Sequence, residues 1–148
     1  VDELIDEHAI RDRARQEDVT HFATGIAIFR DEKLLVVRRQ VNDFLGGMFE
    51  LPGGGVNEDE TISEGAIRET LEETGLEVSS IVGTFDGFDY ETKTKPKVRQ
   101  INFKVKVKPG EVTLEPTEHY EYRWIMEDDI DRLETTNLMR DCLYQAFA

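Results

Sequence analysis

The chain has 148 residues, enough for one ordinary domain with a core of its own. Thirty-two acidic residues stand against 18 basic ones, and a net charge of −14 repels nucleic acid and anionic membrane, so neither is expected as a partner. The lone Cys142 rules out an internal disulfide, and no apolar run reaches the length of a membrane span, so a cytoplasmic monomer or homodimer is expected.

Residues 1–18 are charged and free of Pro, with Leu4, Ile5, Ile10 and Ala14 as apolar anchors. They read as a helical extension (residues 1–19) at the domain edge or at a dimer contact. From Thr20 the pattern changes to alternation. HFATGIAIF reads as a strand, Asp31-Glu32 as a turn and LLVVRR as the hairpin partner. MFEL is a short strand ending at Pro52, ahead of the glycine triplet Gly53–Gly55. A helix follows from Thr61 to Thr74, with Thr61 and Glu64 spaced as a capping box and Gly75 at the position after the end. A strand from Glu77 to Tyr90, the Lys-rich turn ETKTKPK and the strand VRQINFKVKV come next. After a Pro-Gly turn and a loop, HYEYRWI is the last strand. Glu127-Asp128-Asp129 opens a short helix with acids at its positive end, and the final helix starts at Asn137, burying Leu138, Cys142, Leu143 and Ala146. Cys142 is expected there as a buried, inert thiol. Strands interleaved with few helices point to a mixed α/β sandwich and away from a doubly wound parallel sheet.

The chemistry concentrates on the helix around residue 70. Glu69, Glu72 and Glu73 stand at i, i+3 and i+4, so their carboxylates leave one face, while Ile62, Ala66, Ile67 and Leu71 supply apolar contacts on another. Like charges at this spacing repel by roughly 0.2–0.5 kcal/mol per pair. No basic residue lies among them, since Arg68 is adjacent and spaced for Glu64 at i−4. Hard oxygen donors in such a cluster suit Mg²⁺ or Mn²⁺. A run of Glu on a helix is nevertheless more often a solvated face, and only the wider spacing separates the two readings.

That wider segment, GGVNEDETISEGAIRETLEETGL, resembles the Nudix box, Gly-x5-Glu-x7-Arg-Glu-U-x-Glu-Glu-x-Gly-U with U a bulky aliphatic residue. Gly54, Glu60, Arg68, Glu69, Glu72, Glu73, Gly75 and Leu76 fall on it; Thr70 departs at a U position, where it can still offer a methyl to the core. LPGG before the box and Trp124 after it extend the likeness to about residues 20–147, a MutT-like hydrolase domain (residues 20–148). The resemblance implies an α/β/α sandwich with a mixed sheet between helices, and Mg²⁺- or Mn²⁺-dependent hydrolysis of a small-molecule nucleotide by attack of water on phosphorus. It implies Glu69, Glu72, Glu73 and the Gly54 carbonyl as metal donors, Arg68 and Glu60 as the residues that orient them, and Glu69 as a general base. A carboxylate from a later loop joins the site in some members; Glu118, six residues before Trp124, is its expected position, with Glu121 and Glu115 as alternatives.

Substrate contacts follow less directly. Of the neighbours Arg38 and Arg39, strand alternation sends at most one into the cleft, and Arg38 is the expected one. Phe49 resembles an aromatic position flanking the nucleotide, and a core Phe is its alternative. Asn137 falls where MutT-like enzymes place a purine-reading Asn, although it also suits the N-cap of the last helix. Lys93, Lys95 and Lys97 form the one dense basic patch, either a solubilising hairpin tip or a lure for polyphosphate. The leading activity is a nucleoside or deoxynucleoside triphosphate pyrophosphohydrolase giving the monophosphate and pyrophosphate. ADP-ribose or nucleotide-sugar pyrophosphatase comes second, though IVGTFDGFDYETKT lacks a Pro found in many ADP-ribose enzymes. A dinucleoside polyphosphate substrate is a further alternative, with Tyr90 near the Tyr typical of that group. A nucleotide-sensing regulatory domain is disfavoured because the box carboxylates are kept, and diphosphate isomerisation because Cys142 is badly placed for it.

Overall fold

The structure, a computed structural model, describes residues 5–148. The anchor expected at Leu4 lies outside them. Helix α1 (Glu7–Gln16) starts at Asp6, whose side chain accepts from the Ala9 amide at 2.9 Å. Strands β1 (His21–Arg30) and β2 (Lys33–Arg39) form the expected hairpin. Asp31 and Glu32 turn it with φ of 52° and 67°, the left-handed geometry of a type I′ turn adopted without a glycine.

Beyond the turn the two strands part. They pair only at Phe29↔Leu34 and Arg30↔Lys33, and the segment 49–55 enters the gap. Its first part, β3 (Phe49–Glu50), pairs with the far end of β2; its second, β4 (Gly53–Gly55), pairs with β1 at Ala23–Gly25. The glycine triplet, which carries no strand signal in the sequence, is therefore a strand. Further along are α2 (Ile62–Thr74), β5 (Val78–Tyr90), β6 (Val98–Val107), β7 (His119–Ile125), a 3₁₀ helix (Glu127–Arg132) and α3 (Asn137–Phe147). Strand β6 runs parallel to β1 and antiparallel to β5, and β7 runs antiparallel to β2. The mixed seven-stranded sheet thus has two wings, β4-β1-β6-β5 and β3-β2-β7, joined at the root of the hairpin.

Alternation along β1 divides the core. Ile26 and Ile28 face α2, packing with Ile62, Ala66, Leu35 and Phe103, whereas Ala27 faces α3 and joins Val36, Leu51, Cys142 and Leu143. Helices on both faces make an α/β/α sandwich. Leu71 is 53% exposed, against the expected apolar role, because it lies two and a half turns beyond Ile62 and so on the opposite side of α2. Leu138 is also 53% exposed, at the first turn of α3, ahead of the buried Met139.

Helix α1 docks against the start of α2. The Glu7 carboxylate accepts from the Ile62 amide with both oxygens at 3.1 Å, a side-chain anion on the positive end of α2. Arg11 holds Glu7 at 2.7 Å and stacks over Phe22. The far end of α1 is tied down by Arg99, which pairs with Glu17 at 2.6 Å and with Asp89 of β5 at 2.8 Å. No helix of the described residues is long and apolar enough to cross a membrane.

Candidate functional site

Helix α2 begins and ends where its sequence dictates. The Thr61 hydroxyl accepts from the Glu64 amide at 3.0 Å, the Glu64 carboxylate accepts from the Thr61 amide at 2.8 Å, and Gly75 closes the helix at φ 73°. Thr70, at the divergent box position, is fully buried and returns its hydroxyl to the Ala66 carbonyl.

With Glu64 engaged in the cap, Arg68 does not pair with it. The guanidinium turns the other way, meeting Glu60 at 2.5 Å, Glu69 at 2.7 Å, Glu72 at 3.2 Å and the Gly55 carbonyl at 2.8 Å. A base does stand among the carboxylates after all, and it offsets their repulsion. Nor is this a solvated face: Glu69 and Glu73 are 8% and 7% exposed, and only Glu72 lies open. Burial pushes the Glu69 carboxyl up to about 7, while the Arg68 guanidinium pulls it down and Glu73 and Glu72 add repulsion. Gly54 lies directly against this group. A Cβ there would stand 1.9 Å from Glu69 Oε2, so only glycine lets the backbone approach so closely.

Facing α2 and β4 across a cavity of about 460 Å³ are Arg39 of β2, Glu50 of β3, and Glu115, Glu118 and His119 at the entry to β7. His119 is absent from the sequence-based candidates. It is 3% exposed, with Nε2 2.7 Å from Glu50 and Nδ1 3.5 Å from Glu73. Burial opposes its charging, but the two carboxylates prevail and hold the imidazolium up to about 9. A single His within HYEYRWI carries no motif; its position directly after Glu118 was the only available signal.

Of the three candidate loop carboxylates, Glu118 and Glu115 line the cavity and Glu121 does not. Burial and the nearby Glu73 raise the Glu118 carboxyl, whereas the Thr117 hydroxyl and amide lower that of Glu115. Glu121 is turned away, held by Arg123 at 2.7 Å and Arg38 at 3.2 Å.

The expectation for Arg38 is corrected. Its guanidinium leaves the cleft side of β2, donates to the Gly47 carbonyl at 2.8 Å, pairs with Glu134 at 2.7 Å and stacks over Phe49. Pleat alternation then gives the cleft to Arg39, which donates to the Phe44 carbonyl and pairs with Glu50 and Asp43. Phe49 is 2% exposed in the α3-side core, with part of its surface in the wall of a second cavity. Thr136 takes the N-cap of α3, accepting from Met139, so Asn137 is the exposed first residue of the helix and lines neither cavity. The Lys-rich tip also stays out of both. Lys93 and Lys95 are exposed, and Lys97 donates to the Glu17 carbonyl at the end of α1.

The second cavity, about 450 Å³, is largely apolar, with Phe44, Met48, Phe88, Tyr90, Leu138 and Met139 in its wall. Arg39 and Glu50 line both cavities, so the two adjoin.

A divalent cation suits this donor set, which is all carboxylate and carbonyl oxygen. Among the described residues no three such side chains converge on one point, because Arg68 draws Glu69 and Glu72 to itself. Glu73 supplies the complementary observation: its Oε2 is buried without a hydrogen-bond partner and faces only the equally unpartnered His119 Nδ1 at 3.5 Å, so the carboxylate is not fully satisfied by the protein.

An α/β/α sandwich with a carboxylate helix facing such a cleft defines a known class. A family model described as NUDIX domain matches residues 19–147, and the chain belongs to that family. A bis(5′-nucleosyl)-tetraphosphatase (asymmetrical) of Rattus norvegicus is 32% identical over 135 residues, covering 83% of this chain and 90% of that protein. An ADP-ribose pyrophosphatase of Methanocaldococcus jannaschii is 41% identical over 68 residues, 45% of this chain and 40% of that protein. The chain spans about half or less of the length of the first curated relatives it matches. Among solved structures, a MutT protein of Methanosarcina mazei Go1 is similar at a TM-score of 0.69 and 30% identity, covering 85% of this chain and 91% of that one.

Proposed function

We propose that the chain is a Mg²⁺- or Mn²⁺-dependent pyrophosphohydrolase acting on a nucleoside-diphosphate-linked compound, first among them a nucleoside or deoxynucleoside triphosphate, with the monophosphate and pyrophosphate as products. The observation that carries this reading is the sharing of Arg39 and Glu50 by the two cavities. A base in the apolar chamber leaves its phosphates over the carboxylate cleft, and Arg39 at the junction is the only arginine or lysine in either wall. The hydrolase unit in this reading is residues 20–148, with residues 1–19 a helical extension buttressing α2.

In this reading Glu69, Glu72, Glu73 and the Gly54 carbonyl hold the metal, with Glu118 as a further oxygen donor. A cation held by these oxygens would supply charge neutralisation at the phosphate and acidity at the attacking water. Arg68, braced by Glu60, pairs with Glu69 and Glu72 and would have to release part of that pairing for both to reach a common cation. Glu69, its carboxyl raised to about 7, takes the proton of the attacking water at a carboxylate oxygen. His119 positions Glu73 from behind.

A second reading, a dinucleoside polyphosphate substrate, draws on the near full-length likeness to the rat tetraphosphatase and on Tyr90 at the apolar cavity. Hydrolysis in ¹⁸O-water across triphosphates, dinucleoside polyphosphates, ADP-ribose and sugar nucleotides separates the substrates and identifies the attacked phosphorus. Turnover should vanish with EDTA and return with Mg²⁺ or Mn²⁺. Glu73→Gln should lower kcat by orders of magnitude with little change in fold, and near-normal turnover in that variant would overturn the metal assignment.

A further inference from the structure

The largely apolar cavity has one deeply set polar side chain that the proposed hydrolysis does not use. Gln100 of β6, 9% exposed, stands in its wall and donates from Nε2 to Asn102 Oδ1 at 2.9 Å. Asn102 is fully buried, and its Nδ2 lies 3.1 Å from the Asp86 carbonyl and 3.2 Å from Cys142 Sγ. We propose that Gln100 reads the base of the substrate by accepting a hydrogen bond from an exocyclic amine, and that Asn102 behind it fixes which end of the Gln100 amide faces the base. This rests on the reading of the cavity as the nucleoside site.

Hydrogen-bond polarity carries the argument. A backbone carbonyl can only accept, so the Asp86 oxygen requires the nitrogen end of Asn102. The oxygen end of Asn102 then faces Gln100 and requires the nitrogen end of that amide in turn. Gln100 Oε1 is left over, with no protein partner among the described residues and not fully buried, on a residue that lines this cavity and also a neighbouring one between β5 and α1. The chain is rooted in backbone geometry and cannot reverse without breaking a bond at every step.

The fold reserves room for this pair. Gly25 of β1, the parallel partner of Asn102, lies under both amides, and a Cβ there would stand 2.3 Å from Asn102 Oδ1 and 2.6 Å from Gln100 Nε2. Of the other acceptors in the cavity wall, the Glu50 carboxylate is engaged by Arg39 and His119, the Thr136 hydroxyl by the Met139 amide and the Thr92 hydroxyl by the Lys95 amide, while Glu91 lies exposed at the rim. Gln100 is thus an uncommitted acceptor in apolar surroundings, where a base without a donor strands it and a base with one satisfies it. An exocyclic amine projects beyond the ring and reaches a group this deeply set, whereas a ring N–H is recessed between its neighbours.

The test is calorimetric binding of adenosine 5′-monophosphate and of purine riboside 5′-monophosphate, which differ by the amine alone. The unaltered protein should bind the first about tenfold tighter, the value of one hydrogen bond to an otherwise stranded acceptor. Gln100→Leu should bring the ratio to about one. Asn102→Leu should shrink it by releasing the Gln100 amide to turn. Equal affinities in the unaltered protein, or a tenfold ratio surviving in Gln100→Leu, would overturn the proposal; the first comparison needs no variant to fold. If the adenosine compound keeps its advantage while no triphosphate is hydrolysed, the activity fails and base reading stands. If triphosphates are hydrolysed but the amine makes no difference, base reading alone fails. Failure of both monophosphates to bind overturns both.

Discussion

Replacing Arg38 by Met should cost stability and spare substrate binding, while the same change at Arg39 should impair binding as well. Arg38 has a side chain 17% exposed and makes three polar contacts. Its pair with Glu134, itself 72% exposed, is screened and contributes about 0.5 kcal/mol at most. The half-buried pair with Glu121 adds about 0.5–1 kcal/mol, the bond to the Gly47 carbonyl about 1 kcal/mol, and the stack on Phe49 about 0.5–1 kcal/mol. Together these come to about 2–3.5 kcal/mol, or roughly 5–12 °C in Tm for a domain of this length. Arg39→Met also loses a bond to the Phe44 carbonyl and pairs with Glu50 and Asp43, so it should lower Tm by a similar amount, but it should in addition raise KM about tenfold or more, since no other arginine or lysine lines the two cavities. Thermal denaturation and steady-state kinetics on the two variants decide the matter. If Arg38→Met raises KM while Tm stays put, the side-chain directions along β2 are wrong, and with them the assignment of the cleft wall.

Glu7→Ala removes the anion that satisfies the first amide of α2 and should cost about 1–2 kcal/mol in urea denaturation, with an unchanged midpoint refuting the role. Glu32→Gly relieves a non-glycine residue at φ 67° and should stabilise by about 1 kcal/mol; a lower Tm would mean that the hairpin turn is not left-handed there. Acid should loosen α1 from the sheet. Asp89 and Glu17 are each held below the ordinary carboxylate range, chiefly by their bonds to Arg99. A lowered pKa contributes stability that is present above the unfolded value and lost as pH falls through the folded one, so protection of α1 amides from hydrogen exchange should decline below about pH 4. Arg99→Met should remove that pH dependence, and a decline that persists in the variant would place its origin elsewhere.

Much of the architecture was legible because it is written in local signals. Thr61, Glu64 and Gly75 mark the ends of α2 by chemistry confined to a few residues, and alternation marks β1, β2 and β6. What escaped was long-range. The glycine triplet is a strand only because β1 and β2 part and leave a gap to fill, and no window of sequence contains both sides of that gap. The i−4 spacing points Arg68 to Glu64, which the cap takes, whereas the box resemblance points it to Glu60 and the metal-site carboxylates, where the fold puts it. The choice between Arg38 and Arg39 turned on which face of β2 meets the cleft, a fact held by β7 and the 134–136 segment. His119 and Gln100 belong to the same category, since each gains its character from partners 69 and 2 residues away that only the fold turns toward it.

The splayed hairpin decides which strands carry each wall of the cleft. One wall, made of α2 and β4, rides on the wing β4-β1-β6-β5; the other, carrying Arg39, Glu50 and His119, rides on β3-β2-β7. The wings share two paired positions at the hairpin root and the single strap of residues 49–55. The spacing of the walls is consequently set by what lies between the two plates: the apolar layer that includes Ile28 and Leu35, both fully buried, and the approach of His119 Nδ1 to Glu73 at 3.5 Å across the cleft.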